Sequence, residues 1–172
     1  MRIVLRALLV LASLIVLIAV IGALLPRDHV ATRIGRYHQA PDAIWKAITD
    51  VDAMPSWREG LTSVEHLPDR SGLPSHLEIN SNGKIPFETI EMTPPQKLVT
   101  RIADPKLPFG GTWTFEIAPV GDGATLRITE RGYVTNPVFR FMSKFVFGQT
   151  STMETYLKSL AKKFGEEPRI GE

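Results

Sequence analysis

The chain has 172 residues, long enough for one domain with a real core, and it contains no cysteine. Lys plus Arg is 20 and Asp plus Glu is 18, a formal net charge of +2. That balance lacks the basic excess of a nucleic-acid binder, and the missing cysteines exclude disulfides, thiolate zinc sites and a cysteine nucleophile.

Residues 7–25 are uncharged and almost wholly aliphatic. At about 1.5 Å per residue such a helix spans roughly 28 Å, close to the ~30 Å hydrocarbon thickness of a bilayer. Arg2 and Arg6 give the basic start shared by an anchor and a cleaved signal peptide. The run exceeds the ~7–15 residues of a signal core, and Ile21, Gly22 and Ala23 make a poor cleavage site. Residues 1–27 are therefore read as a single-pass membrane anchor, with a signal peptide as the competing reading and a buried core helix as the third. Basic residues flank both ends, and a large domain can be exported regardless of its charge. The domain is accordingly expected on the extracytoplasmic side.

Residues 28–31 read as a short linker and 32–165 as the domain. A first strand is expected over 32–38. Pro41 suits a helix first turn, and Ile44, Trp45, Ile48 and Val51 recur at helical spacing. Met54, Pro55, Ser56 and Trp57 open a second short helix that ends at Gly60. Strands follow over 61–67, 75–80, 85–92, 98–103, 112–118 and 125–131. Leu77 and Ile79 share one face of theirs, as do Trp113, Phe115 and Ile117, and Leu126, Ile128 and Glu130. Asn82-Gly83 is a hairpin signal. Such alternation describes an antiparallel sheet with one covered face. Asn136 and Pro137 start a closing helical segment, in which Met142, Val146, Gln149, Met153, Tyr156, Leu157, Leu160 and Phe164 keep a 3.6 period. Gly148 is placed to split it. Residues 166–172 read as a flexible tail. Burying both the sheet's apolar face and the helix's stripe requires an α+β architecture, with the sheet wrapped around the helix.

This order, with Ala40-Pro41-Asp42-Ala43-Ile44-Trp45, Met54-Pro55-Ser56-Trp57, the stretch from Glu91 to Val99 through Thr93-Pro94-Pro95-Gln96, Gly111-Thr112-Trp113-Thr114-Phe115, and Gly123-Ala124-Thr125-Leu126 through Thr129-Glu130-Arg131-Gly132, resembles the START-like SRPBCC superfamily and its polyketide cyclase/dehydrase and lipid transport group. The resemblance implies a helix-grip fold, a curved sheet closing on the last helix around a deep apolar cavity. It carries no universal catalytic motif and implies no cofactor. His38 departs from it, standing where the group usually has an aliphatic residue.

The expected cavity residues are Trp57, Leu77, Ile79, Phe87, Trp113, Phe115, Ile117, Leu126, Ile128, Glu130, Met153 and Tyr156. Glu130 is the one weak catalytic candidate, an inward carboxylate suited to acid chemistry or to holding a ligand hydroxyl, unless its strand ends there and leaves it wet. Arg101 is expected outside, because Leu98, Thr100 and Ile102 make the better inward face. No metal site is expected, since none of His29, His38, His66 and His76 stands at ligand spacing from another. The loop 104–109 is either a stiff connector or a lid. Phe139, Phe141, Phe145 and Phe147, with Arg140 and Lys144, belong either to a widely buried helix start or to a membrane-interfacial surface. The function expected is membrane-tethered binding of a hydrophobic small molecule or lipid by a monomer. The alternatives are a cyclase/dehydrase-like enzyme and a non-catalytic structural or regulatory module.

Overall fold

The structure is a computed structural model that describes residues 2–81 and 83–171. An apolar helix α1 (Arg2–Leu24) leads into β1 (Asp28–Tyr37), α2 (Pro41–Thr49) and a 3₁₀ turn (Met54–Ser56). The strands β2 (Leu61–Arg70), β3 (Leu73–Asn80), β4 (Gly83–Thr93), β5 (Lys97–Ile102), β6 (Phe109–Val120) and β7 (Gly123–Val134) then run as a meander. α3 (Pro137–Met142), a π-helical turn (Ser143–Phe147), α4 (Ser151–Lys163) and β8 (Arg169–Gly171) complete the chain. All strands pair antiparallel in one curved sheet of order β2-β3-β4-β5-β6-β7-β1-β8.

Helix α4 lies in the curve of the sheet. Its Met153, Leu157 and Leu160 are fully buried, as are Leu126 and Ile128 of β7 and Ile44 and Ile48 of α2. The alternating residues of β6 and β7 share this face because Phe115 stands opposite Ile128 and Ile117 opposite Leu126. Tyr37 donates its hydroxyl to the Leu157 carbonyl at 3.1 Å and fixes α4 against β1.

Three expectations need correction. Residues 28–31 are not a linker: Asp28 pairs with Tyr133 and His29 with Gly132, so β1 begins immediately after Arg27. The tail is partly ordered, because Arg169, Ile170 and Gly171 pair with the β1 edge at Arg36, Gly35 and Ile34. The closing segment does not keep one apolar stripe throughout, although Gly148 splits it as expected. Gly148 sits at φ +79° and interrupts the helical phase, so Val146 and Gln149 are exposed while Met153 is buried. At the expected hairpin Asn80 pairs with Gly83, and Asn82 lies outside the described residues.

The first helix is long and apolar enough to cross a membrane, a property it shares with signal sequences, and nearly all its surface is exposed. Its last turn is clamped to the domain. A Cβ on Gly22 would lie 1.8 Å from the Pro137 carbonyl oxygen, so only glycine permits this approach to α3. Arg140, itself buried, donates from Nη1 to the Leu25 carbonyl at 2.7 Å and from Nη2 to the Thr135 carbonyl at 3.4 Å. A cation at the end of a helix also answers its dipole.

Candidate functional site

Beyond the N-terminal end of α4 the sheet continues past its helix, and there the same inner face bounds a cavity of about 440 Å³. That size falls within the ~300–1,000 Å³ of small-molecule sites. The 3₁₀ turn and α2 wall one side with Ile48, Val51 and Met54. Strands β4 to β6 supply Ile85, Phe87, Met92, Leu98, Ile102, Trp113 and Phe115. Phe109, at the end of the loop 104–109, also lines it. The neighbouring Pro108 carbonyl accepts from Thr135 N at 2.8 Å and ties this loop to the end of β7.

Of the expected cavity residues, Phe87, Trp113, Phe115, Glu130 and Tyr156 line the cavity. Ile117, Leu126, Ile128 and Met153 do not: they lie on the same face but under α4, in the closed core. Trp57 stands behind the wall, edge-on to Tyr156 at 5.4 Å between ring centres, with Lys163 Nζ 5.9 Å from its own ring. Leu77 and Ile79 point to the opposite face. The register of β3 puts His76 beside Phe87 and Glu78 beside Ile85, so it is His76, Glu78 and Asn80 that face inward.

This inverted strand brings in the polar groups that sequence reasoning missed. Arg58 follows Trp57, and its backbone N–H donates to the Met54 carbonyl at 2.8 Å. The next residue, Glu59, donates its N–H to Ser159 Oγ at 3.2 Å and ties the turn to α4. Arg58 thus reaches Glu78 through Nη1, and its guanidinium lies over the Tyr156 ring at 5.1 Å. His76 Nε2 is 3.6 Å from the same Glu78 oxygen, and the His76 ring stacks on Phe87 at 5.7 Å. Burial pushes the Glu78 carboxyl up, but hydrogen bonding from His76 and the charge and hydrogen bond of Arg58 outweigh it and hold the carboxyl below its ordinary value. Tyr156 is 3% exposed, and its hydroxyl has no hydrogen-bond partner among the described residues. Burial pushes this phenol well above its usual value, with Arg58 opposing and Glu78 adding.

At another part of the cavity Glu130, in mid-strand and 23% exposed, stands 3.5 Å from His29 Nε2. The strand does not end there, because β7 continues to Val134. His29 was hidden in the supposed linker. Arg101 is on the outer face, where it and Arg70 bind Glu88. Among the described residues no three His, Cys, Asp or Glu side chains are grouped to hold a metal ion.

A profile of the family described as polyketide cyclase/dehydrase and lipid transport matches residues 38–165. The chain belongs to this family. Among solved structures, a START superfamily protein from Mycobacterium smegmatis superposes with a TM-score of 0.66 at 20% identity, over 78% of this chain and 96% of that one. A Thermobifida fusca protein gives 0.62 at 18% identity, over 79% and 93%. The di-domain ARO/CYC protein StfQ from the steffimycin biosynthetic pathway gives 0.58 at 14% identity, over 81% of this chain and 52% of its own. At these identities the likeness is one of fold: the START-like helix grip. Comparison with curated proteins finds no match.

Proposed function

We propose that this protein binds a hydrophobic small molecule or lipid in its internal cavity, as a monomer held at a membrane by α1. The observation that carries the binding is the 440 Å³ cavity itself, walled mainly by aliphatic and aromatic side chains, with Arg58, His76, Glu78 and Glu130 among them. Apolar surface left open to this extent is favourable to fill.

Two features support the tether. The first is the length and apolar character of α1. The second is the surface next to its clamped end, where Phe139, Phe145, Val146 and Phe147 are all at least 50% exposed and Lys144 Nζ sits 5.7 Å from the Phe145 ring. Aromatic groups with a neighbouring cation suit the headgroup boundary, and this patch is continuous with the helix that would enter the bilayer. The patch and the anchor therefore address one surface, and the cavity works beside it.

The test is native mass spectrometry of the full-length protein released from membranes. An intact N-terminus with a co-purified apolar ligand is expected. Loss of residues before about 27 in the mature chain would replace the anchor with a signal peptide. A reporter fused after the C-terminus is expected to be active only outside the cytoplasm, and activity of a cytoplasm-only reporter would reverse the orientation.

The Glu130 and His29 pair favours one second reading, acid-base chemistry on the bound molecule. In a binder, Glu130→Gln changes ligand affinity by roughly 1 kcal/mol, the worth of one hydrogen bond. In an enzyme using Glu130 as its acid, turnover falls by about 10²–10⁴-fold while affinity survives. The first outcome is expected.

A further inference from the structure

We propose that the cavity is loaded through a second, outer pocket at the start of α4, and that the Arg58 side chain is the gate between the two. This rests on the cavity-binding reading and adds the route by which that site fills.

The outer pocket holds about 240 Å³ between Gly60 and Leu61 at the start of β2, Ser81 after β3, and Ser151 and Thr155 of α4. Arg58, Glu78, Asn80, Thr152 and Tyr156 border both this pocket and the cavity, so one layer of side chains separates the two hollows. The outer pocket also borders the aromatic patch. Ser151 donates its hydroxyl to the Gly148 carbonyl at 3.1 Å, and Gly148 follows the exposed Phe147. Its hydroxyl lining makes it a poor resting place for an apolar molecule and suits it to passage.

Side-chain contacts hold Arg58 across this layer. It reaches Glu78 through Nη1, lies over the Tyr156 ring at 5.1 Å and meets Met54 Sδ at 3.9 Å. None of these contacts is a strand pairing, so rotation about the side-chain bonds of Arg58 opens the layer and leaves the sheet intact. Both charges keep company in the open state. His76 Nε2 is 3.6 Å from the same Glu78 oxygen and can donate to it, and the displaced guanidinium meets the hydroxyls of Ser81, Ser151 and Thr155. The other places where the lining nears the surface are less suited. Beside Phe109, Thr135 donates to the Pro108 carbonyl from N at 2.8 Å and from Oγ1 at 3.1 Å, and Ala103 N donates to the Pro86 carbonyl at 2.8 Å. Pro105 and Pro108 stiffen that loop further. His66, exposed and 2.8 Å from Asp52, stands on β2, the edge strand at the other end of the sheet from β1, into which α1 leads.

The experiment uses the full-length protein in lipid nanodiscs, loaded with the neutral fluorophore N-phenyl-1-naphthylamine. Energy transfer from tryptophan reports the bound probe, and stopped-flow mixing with empty vesicles reads its release. The double variant Arg58→Gln with Glu78→Gln replaces the ion pair by a neutral pair of similar shape, so no charge is left buried alone. It should speed release by about tenfold and leave the equilibrium affinity within about threefold, because a gate acts on both rates alike. Thr155→Phe adds bulk to the outer pocket at a residue that does not line the cavity. It should slow release by about fivefold, again with affinity nearly unchanged.

If the double variant lowers the melting temperature and leaves release as it was, the ion pair is a strut and the gate is wrong, while the cavity reading stands. Should that variant not fold, Thr155→Phe alone decides, and unchanged release in it overturns the route. If Phe109→Ala or His66→Ala speeds release and neither of the other changes moves it, the entrance lies there instead. If the parent protein shows no energy transfer to the probe, the cavity reading falls and the gate with it.

Discussion

The inner face of the sheet has two regions of opposite character. Under α4 it is closed: Ile117, Leu126 and Ile128 meet Met153, Leu157 and Leu160, with no charged side chain among these buried residues. Beyond the start of α4 it is open, and Arg58, His76, Glu78, Tyr156 and Glu130 appear among apolar walls. The strands are the same strands. What changes is whether a helix covers them. Where a helix packs, only shape and apolar contact satisfy the face. Where none does, the wall can afford polar groups, provided each finds a partner inside the wall or in what fills the cavity.

That contrast can be broken in order of expected effect. Leu157→Ala should cost about 2–5 kcal/mol of stability, because a fully buried leucine is removed from a region that cannot collapse around the gap. Chemical denaturation measures it. Apolar probe binding per folded molecule should stay unchanged, and a change would mean that the two regions are not separate.

Glu78→Ala should cost about 3 kcal/mol, since it leaves Arg58 half-enclosed without its counter-charge. The same pair sets the acid response. Glu78 titrates lower in the folded protein than in the unfolded chain. Its contribution is therefore complete above the ordinary glutamate value of about 4.3, and is lost as pH falls through the lower folded value. Melting temperature against pH should drop more steeply below about pH 4 in the parent than in Glu78→Gln. Parallel curves would remove Glu78 from the ledger.

Trp113→Ala should cost less, about 1–2 kcal/mol, because Trp113 is half-buried in a cavity wall and not packed on all sides. Ligand affinity should fall more visibly than stability. A stability loss as large as that of Leu157→Ala would move Trp113 into the closed core.

The same contrast explains what could be read from the sequence. The order of strands, the inward set of β5, β6 and β7, and the helix from Met153 to Leu160 follow from alternation and period, because those residues pack against each other. The site was half legible for the same reason. On β3 the rule that the apolar face is the inner face selected Leu77 and Ile79, whereas His76, Glu78 and Asn80 line the cavity. Periodicity records which residues alternate but not which set faces a hollow. Arg58 was passed over because nothing local to it announces a partner 20 residues later on β3. His29 was passed over because Asp28 to Ala31 does not alternate cleanly, and only the pairing with β7 makes it a strand.

The clamp between α1 and α3 turns sequence position into depth. Gly22 against Pro137 and Arg140 on the Leu25 carbonyl leave almost no slack between the apolar helix and the domain. If α1 crosses the bilayer, every residue inserted ahead of Gly22 would lift the domain by up to about 1.5 Å, and every deletion would lower it. The length of the helix then works as a ruler. It would set how far Phe145 and Phe147 sink into the headgroups, and so how close the cavity would stand to a molecule leaving the lipid.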